Sequence, residues 1–405
     1  MHAVVLRPPS EPPGSARRRG LITIEDVAVV EPGPTEVQVR VEACGICGTD
    51  LDACQFHGDN TSAFGGPIAL PVVLGHEVSG TVAAVGERVT RVAPGDLVAL
   101  ESIQSCGTCD TCLLGLRNQC ANVTLAGLTS PGGFAEYITV PETTCHSLAP
   151  LLEQGWDADR AILAGCLLEP LGCVYNALFI QGGGLRPGER VTVHGLGPLG
   201  LFACLLCRIA GASRVIGIDP LPERRAMAAK FGFDCHAPAP GGSWPSDRHL
   251  AERGALSAEV HVEASGNPAA TLPVIERSLL PNSRCIVLSR TDLPTRIDTN
   301  PWVSSAARLI GSRGQSGGVF PYLIRLFAAG ILDPGELIGD TFPFREVPRL
   351  LRGGSLENAG KTVMLSQRLS SGAVGRGQQR AGAGGDLLGT GPTLPTEARA
   401  EAGSV

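Results

Sequence analysis

The sequence predicts a two-domain α/β protein, a compact β-barrel-like unit followed by a doubly wound parallel sheet. Three observations carry this. Up to about Leu168 short β-type runs are broken by Gly and Pro, as in a small barrel. From Gly188 onward buried strands alternate with helical stretches, the pattern of parallel βαβ units. A glycine-rich turn from strand to helix opens that second region. A length of 405 residues exceeds one ordinary domain, and 43% hydrophobic against 18% charged residues is too apolar for a disordered chain.

In the first region the expected strands are Ile22–Val30, Glu36–Cys44, Glu77–Val85, Leu97–Glu101 and Ala135–Val140. The second reads as strand Arg190–His194, helix Pro198–Ala210, strand Arg214–Asp219 and helix Pro222–Phe231. Strand Val260–Glu263, a helix near Pro268–Leu280 and strand Cys285–Ser289 follow. Lys361–Leu365 has strand character again and is expected to return to the first domain. The boundaries are therefore 1–180 with 340–367 for the first domain and 181–339 for the second. Residues 368–405, rich in Gly, Ala, Ser, Thr and Arg, are expected to be a disordered tail, because they cannot bury enough surface to offset their ordering entropy.

The 39 acidic and 33 basic residues leave a net charge of −6 with no long basic block, which argues against a nucleic-acid partner. No apolar run reaches the roughly 18 residues needed to cross a bilayer, Arg208 ending the best one, so no membrane partner is expected. Prolines in MHAVVLRPPSEPP stand where a signal peptide has its apolar core. A cytoplasmic location is the expectation, and the 14 cysteines then read as reduced thiols for metal binding or packing rather than as disulfides.

Cys106, Cys109, Cys112 and Cys120 form C-x2-C-x2-C-x7-C. Four thiolates this close can enclose one ion at about 2.3 Å per bond, a closed structural zinc shell with no position left for substrate; an iron–sulfur cluster is the competing occupant. The strand-to-helix turn is VTVHGLGPLG, with Gly195, Leu196, Gly197, Pro198, Leu199 and Gly200 forming G-x-G-x-x-G. Gly195 permits the turn, Gly197 lets backbone approach a pyrophosphate, and Gly200 allows close helix–strand contact. Asp219 ends the next strand, 19 residues after Gly200, where a carboxylate accepts from a ribose diol and repels a 2′-phosphate. NAD is therefore favoured over NADP, although Arg224 and Arg225 are placed to receive a 2′-phosphate. Finally, CGICGTD at Cys44–Asp50, GHE at Gly75–Glu77 and LLEP at Leu167–Pro170 scatter Cys, His and carboxylate groups as a catalytic zinc requires.

With both cysteine patterns, the glycine turn and GHEVSGTVAAVG in this order, the sequence resembles the zinc-containing medium-chain dehydrogenase/reductase family over about residues 20–367. The resemblance implies a GroES-like zinc-binding catalytic domain and a Rossmann NAD-binding domain. It also implies two zinc ions per chain, one catalytic and one structural, and a homo-oligomer, dimer or tetramer. By motif, Cys47 and His76 should hold the catalytic zinc together with Glu77, Glu169 or both, the choice between the carboxylates staying open. Thr49 should relay the substrate proton, and Asp50 should orient His76. The carboxylate-rich shell and the stretches around Glu169–Glu189 and Gly311–Pro334 look most like the threonine/sorbitol and scyllo-inosose dehydrogenase branch. The expected activity is hydride transfer between NAD and a secondary alcohol or ketone of a cyclitol or polyol. The alternatives are an L-threonine or sorbitol-type dehydrogenase, and a non-catalytic nucleotide-binding relative. Asn176, Arg313, Gln315 and Ser316 are candidates to hold substrate hydroxyls.

Overall fold

The structure is a computed structural model that describes residues 1–10, 17–238, 256–291, 294–354, 356 and 359–373. The first region is built on a seven-stranded sheet. Its path runs Cys145–Ser147, Leu97–Leu100, Glu77–Val85, Glu36–Ile46, Lys361–Leu365 and Ile338–Pro343, with Tyr137–Pro141 also paired to Glu36–Ile46. The Glu36–Ile46 strand is buried along nearly its whole length because apolar clusters cover both its faces: Val37, Val39, Val41 and Ile46 pack into one, Ala43 into another. Lys361–Leu365 does return here, pairing antiparallel with Ala43–Ile46.

The second region is a six-stranded parallel sheet in the order Asp234–His236, Arg214–Ile218, Arg190–His194, Ala258–Glu263, Leu279–Val287, Arg308–Gly311. Helices Pro198–Ile209, Pro222–Lys230 and Pro268–Ser278 link its strands. Arg190–His194 lies between its two later neighbours, so strand order reverses at its carboxyl end, the place where open α/β sheets bind ligands. The glycine turn sits there.

Between the sheets runs a broken helix. Pro170 has no N–H to offer the Cys166 carbonyl, and the Ala158–Cys166 and Leu168–Gln181 segments meet at 44°. Ala164, Leu171 and Val174 share one core cluster with Phe202 and Leu206 of the parallel-sheet region and Val363 of the first sheet. Glu169, in the first turn after the break, is thus set against both regions. No single helix among the described residues is long and apolar enough to cross a membrane. The stretch read as a tail begins instead with a helix, Gln367–Ala373. Leu369 is buried, and Arg368 reaches Glu42 and Asp159, both at 2.7 Å. A single buried anchor and two ion pairs order these residues against their polar composition; residues 374–405 lie outside the described residues.

Two histidines, His194 and His261, face each other inside the parallel sheet with ring centroids 5.9 Å apart. Burial disfavours the charged imidazole, holding His194 well down and His261 at about 4. An unfolded chain takes up these protons below about 6.5 while the native chain does not, so stability falls as pH drops from about 6.5 to 4. His261 alone accounts for about 3 kcal/mol over that interval. Urea unfolding across that range should show the decline, and His261→Leu should reduce it while His194 keeps its share.

Candidate active site and metal centres

Cys47 leaves the Glu36–Ile46 strand as the N-cap of the short Gly48–Ala53 helix, with half-buried Thr49 in its first turn. Gly45 is registered opposite Glu77, and Thr362 opposite Ile46. Cys47, His76, Glu77 and Lys361 therefore meet at one end of the sheet. Ligand atoms of Cys47, His76 and Glu77 all lie within 4.8 Å of one another. Asp50, fully buried, ties two of them together. Its Oδ2 accepts from Cys47 N at 2.9 Å, and its Oδ1 lies 3.3 Å from both Gly75 N and His76 Nδ1. That contact on Nδ1 leaves Nε2 as the nitrogen available to an ion. Burial opposes a charged His76, but the Asp50 carboxylate outweighs it and raises the imidazole pKa.

Lys361, one of only two lysines in the chain, is buried and donates from Nζ to Glu77 Oε1. Burial disfavours its ammonium, yet Glu77, with Cys47 and Asp50 close by, pushes the pKa up. Glu77 Oε2 is buried without a hydrogen-bond partner. An orphaned carboxylate oxygen beside a thiol and an imidazole is a costly arrangement for a dry interior, and it fits the donor set of a divalent zinc.

Glu169 is near but outside this trio. Its Oε1 accepts from Ser102 Oγ at 2.7 Å, and Cys173 Sγ, one helical turn on, lies 3.8 Å from Oε1 and 3.9 Å from Oε2. Burial raises the Glu169 carboxyl pKa; His76 and Ser102 lower it, while the Glu77 charge adds to the rise. Asn176 and Gln315 are fully buried and bind protein: Asn176 Nδ2 donates to Gly314 O at 2.9 Å.

In the cysteine lobe, Cys106, Cys109, Cys112 and Cys120 also have sulfurs within 4.8 Å of one another. Backbone N–H groups of Thr108 and Cys109 hold the Cys106 thiol down to about 5, and the Thr111 hydroxyl leads the set that holds Cys109 at about 7. Cys106 N and Asn122 N each point to Cys120 Sγ at 3.3 Å. Converging sulfurs with amide donors aimed at them fit a closed metal shell.

At the glycine turn, Gly195 has φ 93°, and a side chain there would strike Ser265 and Ala264. Leu196 is buried, Pro198 starts the helix and Leu199 packs on the core. A Cβ built on Gly197 meets only the Arg224 guanidinium, at 3.6 Å, which leaves an open cradle beside the Pro198–Ile209 helix start. Asp219, buried, accepts from Leu196 N at 2.7 Å and Leu221 N at 2.8 Å, with Arg224 Nη1 3.7 Å from its Oδ2. Arg225 instead binds the carbonyls of Asp219 and Pro220. Of the two arginines, only Arg224 faces the cradle. The helix bearing Glu169 packs on the helix that follows the cradle.

Ser102 and the Lys361–Glu77 pairing are the parts that local sequence did not expose. The partners are 67 and 284 residues apart, and no spacing rule connects them. A lone lysine inside an apolar strand, GKTVML, was the one available signal.

Comparison with known proteins matches the description "Alcohol dehydrogenase GroES-like domain" to residues 33–150 and "Zinc-binding dehydrogenase" to residues 198–329. The chain is 35% identical to scyllo-inosose 3-dehydrogenase of Thermotoga maritima over 330 residues, 79% of this chain and 83% of the relative. It is 30% identical to L-threonine 3-dehydrogenase of Rhizobium etli over 345 residues, 84% of this chain and 94% of that one. A solved alcohol-dehydrogenase-type structure from Thermotoga maritima superposes with a TM-score of 0.80 at 32% identity, covering 90% of this chain and 99% of its own. Fold and site together define a two-domain dehydrogenase. The chain belongs to the zinc-containing medium-chain dehydrogenase/reductase family, with its first region on a GroES-like fold and its second on a Rossmann-like one.

Proposed function

We propose that the protein is an NAD-dependent zinc enzyme that oxidises a secondary alcohol of a cyclitol or polyol, or reduces the matching ketone. The observation that carries this reading is the meeting of Cys47, His76 and Glu77, with an unpaired, buried Glu77 oxygen, beside a helix that packs on the one following the dinucleotide turn. Cys47 Sγ, His76 Nε2 and Glu77 Oε2 would hold zinc, while the four cysteines of the lobe would hold a second ion. When bound, zinc polarises the substrate oxygen and NAD accepts the hydride from the carbinol carbon.

The chain's own residues do the rest. Asp50 locks the His76 ring and the Cys47 backbone. Thr49 takes the substrate hydroxyl proton toward solvent. Lys361 offsets one of the negative charges crowded at the site. Glu169, held by Ser102, offers a carboxylate to a neighbouring hydroxyl of a polyhydroxylated substrate. The cradle at Gly197 receives the pyrophosphate, and Asp219 the adenosine ribose. Similarity to scyllo-inosose 3-dehydrogenase supports the cyclitol assignment. Similarity to L-threonine 3-dehydrogenases favours the second reading, oxidation of L-threonine. NAD reduction measured against inositols, inososes, sorbitol and L-threonine, with metal content determined in the same preparation, separates them; turnover of L-threonine alone would overturn the cyclitol reading.

Asp219→Ser removes the charge that accepts the ribose and stands beside Arg224. The KM for NAD should rise roughly tenfold, the cost of one charge-assisted hydrogen bond, while the KM for NADP should not rise. Steady-state kinetics with both cofactors checks this.

A further inference from the structure

Glu169 is tethered by a side chain from the other end of the chain. Gln315, fully buried, lies in the segment after the Arg308–Gly311 edge strand of the parallel sheet. In the amide orientation that satisfies both neighbours, its Nε2 donates to Glu169 Oε1 at 2.9 Å and its Oε1 accepts from Ser102 N at 3.0 Å. Ser102 Oγ donates to the same Glu169 oxygen. Two donors thus converge on one carboxylate oxygen, and that carboxylate stands outside the Cys47, His76 and Glu77 trio.

The segment carrying Gln315 is itself braced by four residues. Asn176 Nδ2 donates to Gly314 O at 2.9 Å. Asn118 Nδ2, within the cysteine lobe, donates to Arg313 O at 2.7 Å. Gln119 accepts from Arg313 Nη1 at 3.4 Å. Glu101 Oε1 accepts from Gly318 N at 3.2 Å and contacts His146 Nε2 at 3.0 Å. Gln315 is therefore fixed in place before it grips Glu169, and little ordering remains to oppose the hydrogen bond.

We propose that Gln315 is a positioning residue that, with Ser102, holds Glu169 back from the metal trio, so that Glu77 ligates in the resting enzyme and one coordination position stays open for the substrate oxygen. This rests on the reading of the trio as a zinc site. Glu169 feels the charges of both His76 and Glu77, so two carboxylates stand at one site. Lys361 sits on Oε1 of Glu77 and leaves Oε2 to ligate, whereas two donors restrain Glu169. The Rossmann-like region thereby sets the ligand number of a site whose trio belongs to the other region.

The test uses full-length protein with cobalt(II) exchanged into the labile site. In Gln315→Met the freed Glu169 should join the ion. The ion should bind about tenfold tighter by chelator competition, within the range that outer partners of a metal site command. The visible cobalt bands should shift as the carboxylate takes the position otherwise open to solvent and substrate, and kcat should fall more than KM changes. Adding Glu169→Gln to Gln315→Met should restore the bands, a reversal that a merely structural role for Gln315 would not produce. Gln315→Asn, which keeps the amide one methylene short, should move the same way and decides the matter if the methionine variant does not fold. Unchanged or weaker cobalt binding, or no reversal by Glu169→Gln, overturns the proposal. If instead Cys47→Ala keeps the labile ion, the zinc-site reading itself fails, independently of Gln315.

Discussion

Cys47→Ala is expected to lower kcat by on the order of 10³-fold, since it takes away the several kcal/mol of charge stabilisation that a metal supplies at the reacting oxygen. One of the two metal centres should empty while the cysteine lobe keeps its ion. The fold should survive. Cys47 is an N-cap on a six-residue helix and is only half-buried, so its truncation opens no core cavity. Binding of NADH, followed by fluorescence, should be close to wild type, because the cradle at Gly197 and the carboxylate of Asp219 lie on the other sheet. Metal analysis beside the kinetics distinguishes this outcome from general unfolding. Full activity in the variant would remove zinc chemistry from this site.

Lys361→Met should be the most damaging change to stability. Lys361 and Glu77 are both buried, with 2% and 0% of their surfaces exposed, so removing the ammonium leaves a carboxylate in a dry interior without its ion-pair partner. Breaking one side of such a pair costs about 3–5 kcal/mol. The loss should appear in full in chelator-treated protein and shrink when zinc is supplied, because the ion would then compensate Glu77 through Oε2. Urea unfolding with and without chelator reads both values. Equal losses in the two conditions would place Glu77 outside the metal shell. Gly45 supports the same arrangement: a Cβ there would fall 1.8 Å from Glu77 Oε2.

What the sequence revealed was whatever its signals carry locally. Glu77–Val85, Arg190–His194 and Lys361–Leu365 occupy the expected bounds, because each is an apolar run closed by Gly, Pro or a charge. The cysteine lobe and the glycine turn were legible for the same reason, their chemistry being packed into short spacings. Contacts at long range were not. Gln315 and Ser102 meet across 213 residues, and the turn-rich run around Gln315 reads equally well as a substrate loop or a brace. Asn176 shows how this misleads. It was expected to face substrate hydroxyls, and instead it spends its amide on the backbone of Arg313 and Gly314. The opening strand His2–Arg7, four buried residues between two exposed ends, was not among the expected strands.

The return of Lys361–Leu365 to the Glu36–Ile46 strand bears on biosynthesis. A ribosome delivers Cys47, His76 and Glu77 long before it delivers Lys361, so in the nascent amino-terminal half Glu77 lacks its ammonium partner. The Lys361–Leu365 edge of the first sheet can therefore close only after most of the polypeptide has emerged.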